Sequence, residues 1–370
     1  MNIIIKYIYA KRKRINVLKK NLFSFQKYLV AGKYTLTVEG KNICYLDSID
    51  ARGFLGLNNS HLSDGLEGKY QVKYILKKII NFIFIPNKIK VSKLESCNEH
   101  FCGSLIMLTR QGDKKIFNFK DKIILNIISE KEKYERIKVA HNSFSNYINS
   151  TIFDFDDSTK TYKEKLIDFE SFNSVSEVEK NYIIKEFFTN YNNYFISLDK
   201  SNLKKIKVEN LLTSFYEENN NILLYDKLVS HFKKSNMFDI TFPQTLLLGD
   251  MCFFNILKTS DKTYYIDFEY SDEYIFFYDF MNILFVEFNR KNPIYLMKYL
   301  NGEYDKNLEK TFQIFDLDFC IDKREQYFIM FLLERIALDK KMNGGQQLNE
   351  KYYMKIFKVL SYLESKENIY

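Results

Sequence analysis

Tryptophan is absent from this 370-residue chain, proline occurs three times, cysteine five times, and no acidic residue precedes Glu39. The cysteines, Cys44, Cys97, Cys102, Cys252 and Cys320, are odd in number and scattered, which excludes a disulfide framework and a paired zinc-ligand set. Such usage fits a reducing, cytoplasmic setting. The four histidines are isolated too, and His100, between Cys97 and Cys102, has no evident fourth ligand. No uninterrupted apolar run reaches the about twenty residues that span a bilayer. The nearest, Ile75 to Pro86, is cut by Lys77 and Lys78 and reads as a buried helix or strand. The first ten residues place their charges after the apolar stretch, unlike a secretory signal.

The missing acids have the largest consequence. Nine lysines and arginines crowd residues 1–38, so the net charge of +8 belongs to one end and the rest is nearly neutral. A nucleic-acid-coating surface needs basic residues spread along a groove, so no nucleic-acid partner is expected. A local basic arm suits an anionic membrane face, and peripheral contact at the inner membrane through the N-terminus is the matching expectation.

What the chain has in quantity is apolar: 46% hydrophobic residues, with 34 Phe and 28 Tyr. That suffices for buried cores and excludes wholesale disorder. Residues 1–88 read as an N-terminal extension, with a hairpin from Lys33 to Gly40 and Asn42 to Leu46. Period-two alternation predicts strands at Lys88–Leu94, Ser104–Thr109, Lys115–Phe119 and Lys122–Ile128. Ser129, with Glu132 three residues on, predicts a capped helix, and Lys165–Phe169 reads as a short strand. Helical periods dominate beyond about residue 174, as at Val178–Phe188 and Arg324–Leu338. The expected fold class is α+β with two lobes: a small β-rich lobe over 89–172 and a larger helical lobe over 173–370.

One segment interrupts the helices. Thr245–Leu248 reads as a strand that delivers Gly249 and Asp250 to a loop; Asn255 follows, then a hairpin of Ile256–Lys258 and Tyr264–Ile266 that ends in Asp267. The spacing brings two carboxylates and a carboxamide to one edge. Phosphoryl transfer from a nucleotide needs such a set: one carboxylate to take the proton of the acceptor hydroxyl, and a second with an Asn oxygen to hold Mg²⁺.

The run Gly249-Asp250 to Asn255, followed by Ile266-Asp-Phe-Glu-Tyr-Ser271, resembles the aminoglycoside phosphotransferase and choline kinase family, with its protein-kinase-like fold. Over about 45 residues the resemblance implies Asp250 as catalytic base and Asn255 and Asp267 as Mg²⁺ ligands. Glu269 and Asp279 would support them, and Asn282 completes the family's Asp-x-x-Asn. It implies an ATP- and Mg²⁺-dependent transfer to a hydroxyl of a small alcohol or sugar, choline- or ethanolamine-like or a surface-glycan precursor. Where the family has a His two residues before the base, this chain has Leu248.

In the first lobe the same resemblance calls for a hairpin over the phosphates, a lysine that reaches them and a helix glutamate that orients it. The candidates are Gly103 within Ser96–Ser104, Lys115 ahead of Lys114, Lys120 or Lys122, and Glu135 ahead of Glu132. The stretch with Asp168, Phe169 and Glu170 would be a hinge whose backbone meets adenine. Two other readings stand beside the kinase: a catalytically weak pseudokinase scaffold of surface-polysaccharide assembly, and a non-catalytic basic-arm membrane-binding protein. Tyr270, Tyr274, Phe276, Phe277 and Tyr278 offer rings for a choline-like quaternary ammonium, but in a chain with 62 Phe and Tyr most of them read as core.

Overall fold

The computed structural model describes residues 3–37, 42–46, 88–92, 101–109, 112–168, 175–219, 222–233, 237, 240–342 and 350–367. The chain divides into two units, one of Met1–Tyr134 with Thr151–Asp168 and one of Glu135–Ser150 with Phe169–Tyr370.

The first unit is built on a sheet. After helix α1 (Ile3–Ser24) come β1 (Gly32–Thr37), β2 (Asn42–Leu46), β3 (Lys88–Val91), β4 (Leu105–Leu108), β5 (Lys114–Asn118) and β6 (Ile123–Ile127). Helix α2 (Lys131–Phe144) contains the division between units, and β7 (Asn149–Ser150) belongs to the second. A hairpin of β8 (Ile152–Asp156) and β9 (Thr161–Lys165) returns to the first. The eight strands lie in the order β3-β1-β2-β4-β5-β6-β9-β8, every pair antiparallel.

Alternation along the strands gives the sheet two apolar faces. Tyr34, Leu36, Cys44, Ile106, Ile116 and Leu125 form one core together with Ile15, Leu18 and Leu22 of α1. Ile43, Leu105 and Phe117 form the other, with Met107 and Ile124 packed against them. Ile15, Leu18 and Leu22 recur at helical spacing and are at most 3% exposed, so α1 is anchored by its apolar stripe. The basic N-terminus read as an arm on a separate extension is thus a packed helix, and β1 and β2 are the second and third strands of the eight-stranded sheet. Sequence alternation predicted the hairpin but carried no information on which sheet it joins.

The predicted cap at Ser129 is also replaced. The helix begins at Lys131, and the Ser129 hydroxyl donates to the Gly112 carbonyl. Its amide donates to Asp113 (2.8 Å), whose other oxygen takes the Lys133 ammonium at 2.6 Å, with both side chains 5% exposed. Burial pushes the Asp113 carboxyl up, but Lys133 and the Ser129 donors outweigh it and hold the pKa below the usual value.

The second unit is mainly helical. Ser176 and Glu179 form a capping box at the start of α3 (Glu177–Ser197). Then come β10 (Lys205–Lys207), α4 (Val208–Asn219), α5 (Ile222–Lys233), β11 (Thr241–Leu247), β12 (Ile256–Lys258), β13 (Thr263–Tyr265) and β14 (Asp272–Ile275). Helices α6 (Tyr278–Asn289), α7 (Ile294–Leu300), α8 (Asp305–Ile314), α9 (Arg324–Met342) and α10 (Glu350–Glu367) complete it. Two three-stranded sheets, β10-β11-β14 and β12-β13-β7, are set among them. Phe276, Phe277, Phe312 and Tyr327 pack ring on ring in its core, where Phe276 and Phe277 are each 2% exposed. The architecture is therefore α+β: an antiparallel sheet region followed by a mostly helical one.

Candidate active site

Strand β11 runs through the second unit, paired with β14 from Gln244↔Ile275 to Leu247↔Asp272, and releases the chain at Leu248. Gly249 then adopts φ 78°, and a Cβ there would run into the Tyr270 carbonyl, so only glycine fits this turn. Asp279, in the first turn of α6 and 1% exposed, fastens the loop from below. Its carboxylate accepts the amides of Leu248 (2.8 Å) and Gly249 (2.9 Å) and the Tyr191 hydroxyl (2.6 Å). Burial raises its pKa to about 6 against these three donors. One turn along α6, the fully buried Asn282 donates to the Met251 carbonyl at 2.9 Å. Asp279 and Asn282 thereby set the position of Asp250 through its neighbours' backbone. Leu248, at the family's His position, is itself 1% exposed.

The three residues of the motif come together. The Asn255 carboxamide donates to the Asp250 carbonyl at 2.7 Å, and the Asn255 carbonyl accepts the Ile266 amide at 3.0 Å. With Ile256 opposite Tyr265, the β12–β13 hairpin puts Asn255 and Asp267 at the same end. Asp267 sits in the left-handed region (φ 68°, ψ 62°), an uncommon conformation for a residue with a side chain and one that concentrates at functional turns. The Glu269 carbonyl accepts the Arg136 side chain at 3.0 Å, and His141 meets the Phe268 ring edge-on at 6.4 Å. Burial, reinforced by the charges of Glu269, Asp250 and Asp267, pushes the Tyr270 phenol well above its usual range. The carboxylates therefore share one neighbourhood.

Arg335 of α9 is the residue that the sequence reading missed. Its guanidinium reaches Asp250 at 3.3 Å, the Asn282 carboxamide oxygen at 3.1 Å and Asp339 at 3.1 Å. Burial drives the Asp250 carboxyl above its usual pKa, with the Asp339 and Glu269 charges adding to it, while Arg335 opposes the shift. The available signal was the pair Glu334-Arg335 inside the apolar run from Phe328 to Leu338. Glu334 is buried as well, accepting the Ile275 amide (3.1 Å) and the Gln244 side chain (3.0 Å), and burial raises its pKa to about 8.

The nucleotide-side candidates fare differently. Gly103 is a packing residue. Its amide donates to the Tyr28 carbonyl (2.8 Å), its carbonyl takes the Val30 amide (3.0 Å), and a Cβ would strike Ile116 at 2.5 Å. The close backbone approach expected for a phosphate is spent on β5. Lys115 lies half-buried on β5, while Glu135 is exposed on α2. Asp168 is exposed and ion-paired with Lys122. Phe169, Glu170 and residues 96–100 lie outside the described residues.

The donors present suit Mg²⁺. Asp267 and Asn255 offer oxygen only, and Mg²⁺ takes one or two protein carboxylates and completes its shell with phosphate and water. Among the described residues no group of three or more His, Cys, Asp or Glu forms an all-protein cage.

No family model matches the sequence, and no curated protein does. Solved structures match in fold. A choline/ethanolamine kinase family protein from Mesorhizobium loti is 12% identical, with 69% of this chain and 86% of that one covered and a TM-score of 0.39. Choline kinase LicA from Streptococcus pneumoniae is 13% identical over 80% and 99%, at 0.41. A thermostable mutant of aminoglycoside phosphotransferase APH(4)-Ia, in ternary complex with ADP and hygromycin B, is 9% identical over 70% and 92%, at 0.45. At such identities and scores the likeness decides nothing about chemistry, which has to come from the residues.

Proposed function

We propose that the chain is an ATP- and Mg²⁺-dependent phosphotransferase acting on a hydroxyl of a small molecule. The observation that supports it is the fastening of Asp250, Asn255 and Asp267 around one loop by the Asn255–Asp250 and Ile266–Asn255 hydrogen bonds. In this reading Asp250 accepts the proton of the acceptor hydroxyl as its oxygen attacks the γ-phosphorus of ATP, the bond from that phosphorus to the β–γ bridging oxygen breaks, and ADP leaves with the electron pair. Asn255, held through its Nδ2, presents Oδ1 together with the Asp267 carboxylate to the cation. The cation, when bound, neutralises charge on the phosphoryl oxygens. Asp279 and Asn282 hold the loop so that little reorganisation is needed at the moment of transfer. Lys115 is assigned to the nucleotide phosphates.

An ATP-consumption screen against choline, ethanolamine, sugars and glycan fragments tests the activity. The expected result is turnover with one of these classes that vanishes in Asp250→Asn. A chain that binds Mg·ATP and turns over no hydroxyl acceptor would favour the pseudokinase reading instead. Retention of all three motif residues supports the enzyme.

The outer face of α1 supports a second, peripheral role. Lys6, Lys13 and Lys20, seven residues apart, are exposed beside Tyr9 (70%), Val17 (52%) and Phe23 (46%). Lysines interleaved with apolar side chains suit an anionic lipid surface. Among the described residues no helix is long and apolar enough to cross a membrane.

A further inference from the structure

We infer that Arg335 is the positioning residue of the base: it holds Oδ1 of Asp250 and so presents Oδ2 to the acceptor hydroxyl. The inference deepens the phosphotransferase reading above and rests on it.

The other contacts around the base act on backbone. The Asn255 carboxamide donates to the Asp250 carbonyl at 2.7 Å, Asp279 takes the amides of Leu248 and Gly249, and Asn282 donates to the Met251 carbonyl. They fix where the Asp250 Cα stands and leave its side-chain torsions open. Among the described residues, the group hydrogen-bonded to the carboxylate itself is Nη1 of Arg335, on Oδ1 at 3.3 Å.

Arg335 is in turn braced from two sides. Asn282 is 0% exposed, and because its Nδ2 is committed to Met251 its Oδ1 faces Arg335 and accepts Nη1 at 3.1 Å. Nη1 carries two N–H groups, one for each of these acceptors. One turn along α9, Asp339 accepts Nε at 3.1 Å. A planar guanidinium held at two of its nitrogens has a fixed plane, and Nη1 therefore meets Asp250 from one direction. Proton transfer needs a single carboxylate oxygen within hydrogen-bond reach of the hydroxyl, so holding one oxygen assigns the other. The Asp250 side chain keeps 29% exposure against 17% for Arg335, so the ion pair does not seal the base.

Stability alone gives no reason for the charge. Arg335 lies within Phe328–Leu338, where every residue but Glu334 and Arg335 is apolar. An ion pair set in such surroundings is commonly no more stabilising than apolar side chains of similar volume. A base that has to be aimed does give a reason, because a misplacement of about 1 Å costs about a hundredfold in rate.

The test follows ADP release from Mg·ATP by the full chain, with choline, ethanolamine or sugars as acceptor and with water alone. Mg·ATP binding is measured on the same preparations by titration calorimetry. Arg335→Lys keeps a positive charge but loses the fork that joins Asp250, Asn282 and Asp339. It is expected to melt near the wild-type temperature and to lower kcat about a hundredfold, with KM for the acceptor and Kd for Mg·ATP within about twofold of wild type. Joined to Asp250→Asn, it should lower turnover no further than Asp250→Asn alone, since its effect passes through that carboxylate. If Arg335→Lys fails to fold, Asp339→Asn, which removes the brace on Nε, supplies the readout through a smaller fall in kcat. Wild-type kcat in the folded variant, a change confined to KM, or full additivity with Asp250→Asn would overturn the positioning role and leave the phosphotransferase reading in place. A wild-type chain that releases no ADP under any of these conditions would overturn both.

Discussion

The loop of the second unit and the sheet of the first hold their polar residues by opposite means. Around Asp250, polar side chains are tied to backbone: Asn255 to Asp250 within one loop, and Asp279 to Leu248 and Gly249 and Asn282 to Met251 from the helix that follows the hairpin. On the sheet, Lys115 and Asn126 are neighbours because β5 and β6 pair in one register, and among the described residues the Asn126 carboxamide has no hydrogen-bond partner. A short-range motif records the first kind of site. The second exists only once strands have aligned.

The largest expected effect breaks the first region. Asp250→Asn removes the proton acceptor and should lower kcat by about 10²–10⁴-fold while Mg·ATP affinity is kept, as measured by turnover and calorimetry on the same preparation. Unchanged turnover would mean that another group takes the proton. Next comes Arg335→Met, which strands Asp250 and Asp339 without their counter-charge. A loss of about 3 kcal/mol in denaturant unfolding is expected, and a loss under 1 kcal/mol would show the ion pairs to be well solvated.

Leu22→Ala compares with these from the sheet side. Leu22 is 0% exposed in the core under α1, so truncation should cost about 2–4 kcal/mol, whereas a detachable arm would lose nothing. The sign of a pH effect sharpens the comparison further. Folding raises the Glu334 pKa from 4.5 to about 8 and that of Asp279 from 3.8 to about 6. Each group binds its proton more tightly when folded, so its contribution is full below the unfolded pKa and declines as pH rises to the folded value. Unfolding free energy should therefore fall between about pH 4 and pH 8. Glu334→Gln should flatten the part from 6 to 8, and a slope unaltered by that change would place the titration elsewhere. The smallest effect belongs to the α1 surface. Joint Lys6, Lys13 and Lys20→Glu substitution should leave stability nearly unchanged and abolish sedimentation with phosphatidylserine vesicles. Retained sedimentation would remove the membrane contact.

Much of the second unit was legible because its signals are local. The β12–β13 hairpin, the helix from Arg324 and the Asp250/Asn255/Asp267 spacing all depend on residues within about twenty positions of one another. Arg335 was not, since its partners Asp250 and Asn282 lie 85 and 53 residues away. Gly103 misled for a related reason. A glycine at a strand edge signals close approach, and the sequence does not say whether a ligand or a neighbouring strand does the approaching.

The amino-acid sequence by itself determined the α+β order of elements, the basic bias of the first 38 residues and the acid–amide–acid spacing of the loop. All of these follow from side-chain periodicity and from the short reach of turns. Tertiary structure alone decided that α1 is a packed layer rather than an arm, that β1 and β2 join the central sheet, that Arg335 faces Asp250, and that Lys115 and Asn126 stand side by side. The first three are long-range pairings, selected when whole elements bury their apolar faces together, and no local pattern records which partner each face will find; the last follows from the register of a single hairpin.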